Sequence, residues 1–147
     1  MFNDMYQVCR AKKVEDDNWI EGYYVFDKEH LIVQDLRTIV RGTAEHVNVH
    51  AIESETIGRA VGRTDKNGVQ MFEGDIVKGY GVISYIVKYG EFNGNVGLGY
   101  YYGIGFHLER VGHPDHKVPL SSISLDKGEF EIVGNIYDNH ELLAVEG

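Results

Sequence analysis

The sequence predicts a mainly β protein with, at most, short helices added in an α+β manner. Three observations point there. Aromatic and β-branched residues are plentiful and alternate with polar ones, the period of an extended chain. Glycine is abundant at 18 residues against two prolines, and ten of those glycines fall between Gly74 and Gly112, which suits strands and tight turns rather than helices. A chain of 147 residues fits one domain or two very small ones, and it is long enough to bury a core without covalent staples.

The first expected strand pair is "NWIEGYYVFD" (18–27) and "HLIVQDL" (30–36), joined by a short polar hairpin loop. Alternation puts Trp19, Glu21, Tyr23 and Val25 on one face, and Ile20, Gly22, Tyr24 and Phe26 on the other. "EHVNVHAI" (45–52) reads as a third strand, with Val47, Val49 and Ala51 opposite His46, Asn48 and His50. "SETIG" (54–58) reads as a short capped turn, with Ser54 as its cap, leading into the second half.

Asp65-Lys66-Asn67-Gly68 is a turn signal with a mechanism. The Asp side chain accepts backbone N–H bonds, and Asn and Gly tolerate positive φ. "VQMF" (69–72) returns as a strand, and Glu73-Gly74-Asp75 forms a second corner before "DIVK". "VISYIVKY" (82–89) places Ile83, Tyr85, Val87 and Tyr89 on one face. In "NVGLGYYYGIGF" (95–106) Val96, Leu98, Tyr100, Tyr102, Ile104 and Phe106 alternate with four glycines and Tyr101. Glycine weakens a strand, so these positions call for a reason: strong coiling, or close approach of a ring or backbone. The segment lacks the spacing, following helix and lysine of a phosphate-binding loop. Residues 107–118 read as a loop, and "EFEIVGNIY" (129–137) as a strand. "DNHELL" reads as a helical turn capped by Asp138, with Glu141 completing a capping box and Leu142 and Leu143 acting as an apolar latch.

Composition narrows the function. Net charge is −9, and both halves are acidic: residues 1–63 carry 8 basic against 11 acidic side chains, residues 64–147 carry 6 against 12. No basic stripe is visible, which disfavours general nucleic-acid affinity. The lone Cys9 rules out an internal disulfide or a cysteine-based zinc site, and fits a small core residue in a reducing compartment. No run reaches the ~20 apolar residues of a membrane span, and the N-terminus is not patterned as a signal peptide, so a cytoplasmic location is expected.

Catalytic chemistry finds little footing. No G-x-S-x-G occurs, and Ser121, Ser122 and Ser124 sit before a turn. Glu73 and Asp75, with Asp65 across a hairpin, have the makings of an acid–base pair or a hard-cation site, but acids at turns usually bind backbone N–H groups. His107, His113, Asp115 and His116 are metal-capable, yet their spacing matches no established ligand set. No cofactor and no enzymatic activity are expected. A metal-dependent hydrolase built on those four residues is the weaker catalytic alternative. Ten tyrosines are present. Tyr89, Tyr100, Tyr101 and Tyr102 form the best candidate binding surface, with a core role as the competing reading. The nucleic-acid alternative would use a local patch of Lys78, Lys88 and Arg110.

The string "TDKNGVQMFEGDIVK" (64–78), a glycine-rich β segment and "EIVGNIYDNHELL" (131–143) together resemble the YopX family of phage and prophage proteins. "VCRAKKVEDDNWIEGYYV" (8–25) is similar to the start of many members, so the likeness spans nearly the whole chain. Its marker residues here are Asp65, Asn67, Gly68, Glu73, Gly74, Asp75, Gly134, Asn135 and Tyr137. His140 stands where the family often has Pro, and Gly-Arg-Thr at 62–64 where Gly-Leu-x is common. The resemblance implies a small accessory protein of temperate phages in the bacterial host, acting as a homo-oligomer, with no catalytic residues to transfer. The order F-x-G-D-I-V, β run and glycine-rich strand is similar to a small SH3-like barrel, by fold analogy alone. The expected architecture is therefore an N-terminal β-rich segment (1–56) packed on an SH3-like barrel with its latch (57–147). The expected function is a non-catalytic module binding a protein partner or itself.

Overall fold

The structure is a computed structural model and describes residues 7–34, 49–95, 100–120 and 128–144. The expectations placed on residues 35–48, on Val96 and Leu98, and on the Ser121–Ser124 cluster lie outside the described residues. The fold is mainly β, with two antiparallel strand systems. The chain divides into two compact units, Met1–Ala60 and Val61–Gly147.

The first unit holds β1 (Val8–Lys12), β2 (Trp19–Asp27), β3 (Glu29–Val33), β4 (Val49–Ala51) and the start of β5 (Gly58–Thr64). Their hydrogen-bonded order is β4-β3-β2-β1-β5. The β2–β3 hairpin is tighter than expected: Asp27 pairs with Glu29, and Lys28 turns the corner at φ 64°. Cys9, Ala11, Ile20, Ile32 and Ile52 form the core, with Ile57 packed against it. Cys9 is thus a small core residue, as its isolation in the sequence suggests. Gly22 is required by close approach, since a Cβ there would sit 2.6 Å from the Val33 carbonyl oxygen.

Strands β1 and β5 go beyond the sequence expectation, which named no strand before residue 18 and read 54–58 only as a turn leading into the second half. Arg10 and Lys12 occupy strand positions by laying their charged ends over the Trp19 ring, 4.8 and 5.5 Å from its centroid. In the 3-10 turn Ser54–Thr56, the tie is made by Thr56 and not by Ser54. Thr56 Oγ1 donates to the Glu53 carbonyl and accepts from Lys12 N–H.

The second unit continues β5 and adds β6 (Gln70–Phe72), β7 (Asp75–Gly79), β8 (Ile83–Asn95), β9 (Tyr100–Arg110), β10 (Lys117–Pro119) and β11 (Glu131–Asn135). Five of these form a sheet in the order β10-β9-β8-β7-β11. Among the described residues this sheet is open, so the expected closed SH3-like barrel is not formed by its strand pairing. Met71, Val77, Tyr85, Val87, Leu108 and Phe130 make the core, flanked by Val61, Ile83, Val118, Leu120 and Ile132. Each of the fully buried side chains contributes about 1.5–3 kcal/mol by leaving water. Gly79 has no room for a side chain, because a Cβ would lie 2.1 Å from the Phe130 ring.

Residues 107–110 are not a loop. They finish β9, Lys117–Pro119 pair back onto it, and only 111–116 turn. The C-terminal turn is a 3-10 helix, His140–Leu143, with no side-chain cap. Asp138 does not cap it; Asn135 and Asn139 organise the turn instead. Asn135 Oδ1 accepts from Tyr137 and Asp138 N–H, and Asn139 Oδ1 accepts from Asn135 N–H. Leu142 and Leu143 are half-buried.

Candidate interaction surface

Two of the three acids singled out in the sequence, Asp65 and Asp75, are bound to backbone. Asp65 Oδ1 accepts from Asn67 N–H at 2.9 Å and Val69 N–H at 3.0 Å, and Oδ2 accepts from Ile132 N–H at 3.0 Å. Burial pushes its pKa up, but those three donors, with Lys66, outweigh burial and hold the carboxyl below its usual value. Asp75 is buried, and its Oδ2 accepts from Phe72 N–H at 2.8 Å. Glu73 is half-buried beside them. Among the described residues no three His, Cys, Asp or Glu side chains gather as a metal site.

The two blocks 64–78 and 131–143 interlock. Lys66 N–H bonds the Phe130 carbonyl, Ile136 N–H bonds the Gly74 carbonyl, and Asn67 Nδ2 donates to Glu131. Gly68 and Gly74 sit at φ 82° and 90°, where a side chain is strained. A Cβ at Gly74 would lie 3.1 Å from the Tyr137 ring, and one at Gly134 would lie 2.5 Å from Asn139 Oδ1.

His107, His113, Asp115 and His116 do not converge. His107 is buried in β9, with its ring 5.3 Å from that of Phe92. Its Nδ1–H donates to the Gly105 carbonyl at 3.1 Å. Burial lowers its pKa, Lys117 and Lys88 lower it further, and the Gly105 bond and Glu109 only partly oppose them. His113 and Asp115 are exposed in the 111–116 turn, and His116 packs on Tyr85. The three basic residues also separate. Strand register puts Lys78 and Lys88 on one face of the sheet and Arg110 on the other. Lys88 is neutralised by Glu109 at 2.8 Å.

What remains is an arm. β8 and β9 pair continuously from Tyr85↔Arg110 to Asn95↔Tyr100, but β7 accompanies β8 only through Ile86 and β10 accompanies β9 only from His107. Beyond those points, among the described residues, the two strands pair only with each other. The sheet face that is core at Val87 and Leu108 continues outward as Tyr89 and Phe106, then Ile104, then Tyr102. Tyr89 is 46% exposed, Tyr102 62% and Ile104 64%. Tyr89 meets Phe106 edge-on at 5.1 Å, and Tyr102 Oη donates to Glu91 at 3.1 Å, which raises the phenol's pKa. Tyr100 and Tyr101 have their backbones in β9; their side chains lie outside the described residues.

The opposite face explains one glycine. The Phe92 ring lies over Gly103, its cross-strand partner, and a Cβ there would come within 2.7 Å of the ring. Sequence alternation signals the bare face, but nothing in it names Phe92 as the ring that fills it. The grouping of Arg110 and His116 about Tyr85 was also missed, since it depends on register between strands 25 residues apart.

No curated protein matches the chain. No described helix is long and apolar enough to cross a membrane. The family model described as YopX protein matches residues 9–144, a span that contains both interlocked blocks and the arm between them. The chain therefore belongs to the YopX family.

Proposed function

We propose that this chain is a non-catalytic accessory module that binds a protein partner, or a second copy of itself, through the outward face of the β8–β9 arm. The observation that carries the reading is the exposure of Ile104 and Tyr102, at 64% and 62%, on the continuation of the apolar core face beyond the strands that flank it in the sheet. Adjacent exposed apolar side chains mark interaction sites, and tyrosine supplies contact area at low entropic cost. The commitment of Asp65 and Asp75 to backbone donors supports a reading without catalysis. A phage or prophage origin and a homo-oligomeric state accompany this proposal as what family resemblance implies, and a cytoplasmic location accompanies it as the expectation from the sequence pattern. An SH3-like barrel for about 57–143 remains a fold analogy on which the function does not depend.

Light scattering across a concentration series tests self-association. A mass above the 16.6 kDa of one chain is expected for the wild type, falling toward one chain in Tyr102→Glu/Ile104→Glu. A strict monomer that also retains no partner from host lysate would overturn the proposal.

A further inference from the structure

The second unit holds a half-buried arginine that meets no carboxylate among the described residues. Arg110 ends β9 on the core face of the sheet, directly opposite Tyr85. Among the described residues it forms no ion pair, although the chain carries 23 acidic side chains. Lys12, Lys13, Lys66 and Lys88, by contrast, all do. Asp115, the one acid of the adjoining turn, does not reach it.

Two histidines are held beside that arginine by backbone bonds. Arg110 N–H donates to the His116 carbonyl at 2.9 Å, His113 N–H to the Arg110 carbonyl at 3.0 Å, and His116 N–H to the His113 carbonyl at 2.9 Å. The turn thus holds the three basic residues close together, and the Arg110 and His113 charges both act on His116. The His116 ring stands edge-on to Tyr85, centroids 6.0 Å apart. Tyr85 packs on Phe130 at 5.6 Å, and Phe130 on Tyr80 at 5.8 Å. Tyr80 is held at φ 50°, a left-handed conformation that costs about 1 kcal/mol or more outside glycine, yet half of it faces water. The electrostatics agree with the geometry. Partial burial lowers the His116 pKa, and the Arg110 and His113 charges lower it further.

We propose that Arg110, His113 and His116 form an oxyanion-binding site, taking a phosphoryl or carboxylate group on the rim beside Tyr80 and Tyr85. A guanidinium offers paired donors matched to either group. Imidazoles at the same rim add donors that a free cation cluster lacks reason to hold together. The site is independent of the arm: it lies at the opposite end of the β8–β9 pairing, so loss of one need not affect the other.

The test is a titration of the full chain near neutral pH at constant ionic strength, with inorganic phosphate in one arm and acetate in the other. NMR follows the His113 and His116 ring protons and the amides of 110–116. Saturable shifts confined to this rim are expected, and the tighter of the two probes assigns the group. Arg110→Gln is expected to weaken binding at least tenfold, with Arg110→Lys intermediate. Should Arg110→Gln fail to fold, the exposed His113→Gln is expected to weaken binding roughly threefold. Linear, non-saturating shifts with both probes, or equal affinity in the variants, would overturn the site.

Discussion

At the scale of single residues, the carboxylate of Asp65 shows how an apparent reactive group becomes a corner. It satisfies three backbone donors, two from its own turn and one from Ile132. Asp65→Ala leaves those N–H groups with no acceptor. It should destabilise the fold by about 2–4 kcal/mol in urea unfolding, given charge-assisted bonds lost from a buried site. Asp65→Asn should recover part of that. The folded pKa lies below the unfolded one, so this contribution is present above about pH 4 and fades as pH falls through the folded value. His107 behaves oppositely in charge but alike in direction. Its folded pKa is depressed, so its neutral form favours the fold at neutral pH, and stability falls as pH drops below about 6.5. Ring-proton NMR should find His107 titrating below the value of an exposed histidine. The local half of the Asp65 corner was legible, because its donors stand two and four residues on. The Ile132 bond was not, because its partners stand 67 positions apart and meet only where the Asp65 turn docks beside Phe130, through Lys66 N–H to the Phe130 carbonyl.

At the scale of elements, the β8–β9 arm is the feature that matters. Its alternation was plain in the sequence, but alternation cannot say which face is covered. The structure answers asymmetrically. Phe92 closes over Gly103 on one face, while Tyr102 and Ile104 are left in water on the other. Gly103→Val should displace the Phe92 ring and loosen the arm, seen as faster amide exchange in residues 88–93 with the core amides unchanged. Gly79→Ala should be costlier. The added methyl meets the buried Phe130 ring at 2.1 Å, and such overpacking costs typically 1–3 kcal/mol, read as a lower midpoint in urea. The strands β1 and β5 escaped sequence reading for a shared reason. Their half-buried positions carry Arg10, Lys12 and Arg59, and Arg10 and Lys12 are accommodated by Trp19, a neighbour that a one-dimensional pattern does not contain.

At the scale of the whole molecule, charge and surface work against each other. A chain at −9 repels its own copies, yet the described arm carries one lysine and one glutamate between residues 88 and 95. Contact there brings together the least charged part of the second unit. Association through it should therefore survive, or strengthen, between 0.05 and 0.5 M salt (roughly the range over which screening becomes short). A basic patch binding nucleic acid would show the reverse dependence. The most direct measurement is a co-purification in which tagged chain is expressed with an untagged copy in the bacterial host. The tagged wild type is expected to retain the untagged copy or a host protein, and tagged Tyr102→Glu/Ile104→Glu to lose it while melting at the same temperature. Equal recovery by both, or recovery by neither, would contradict this expectation.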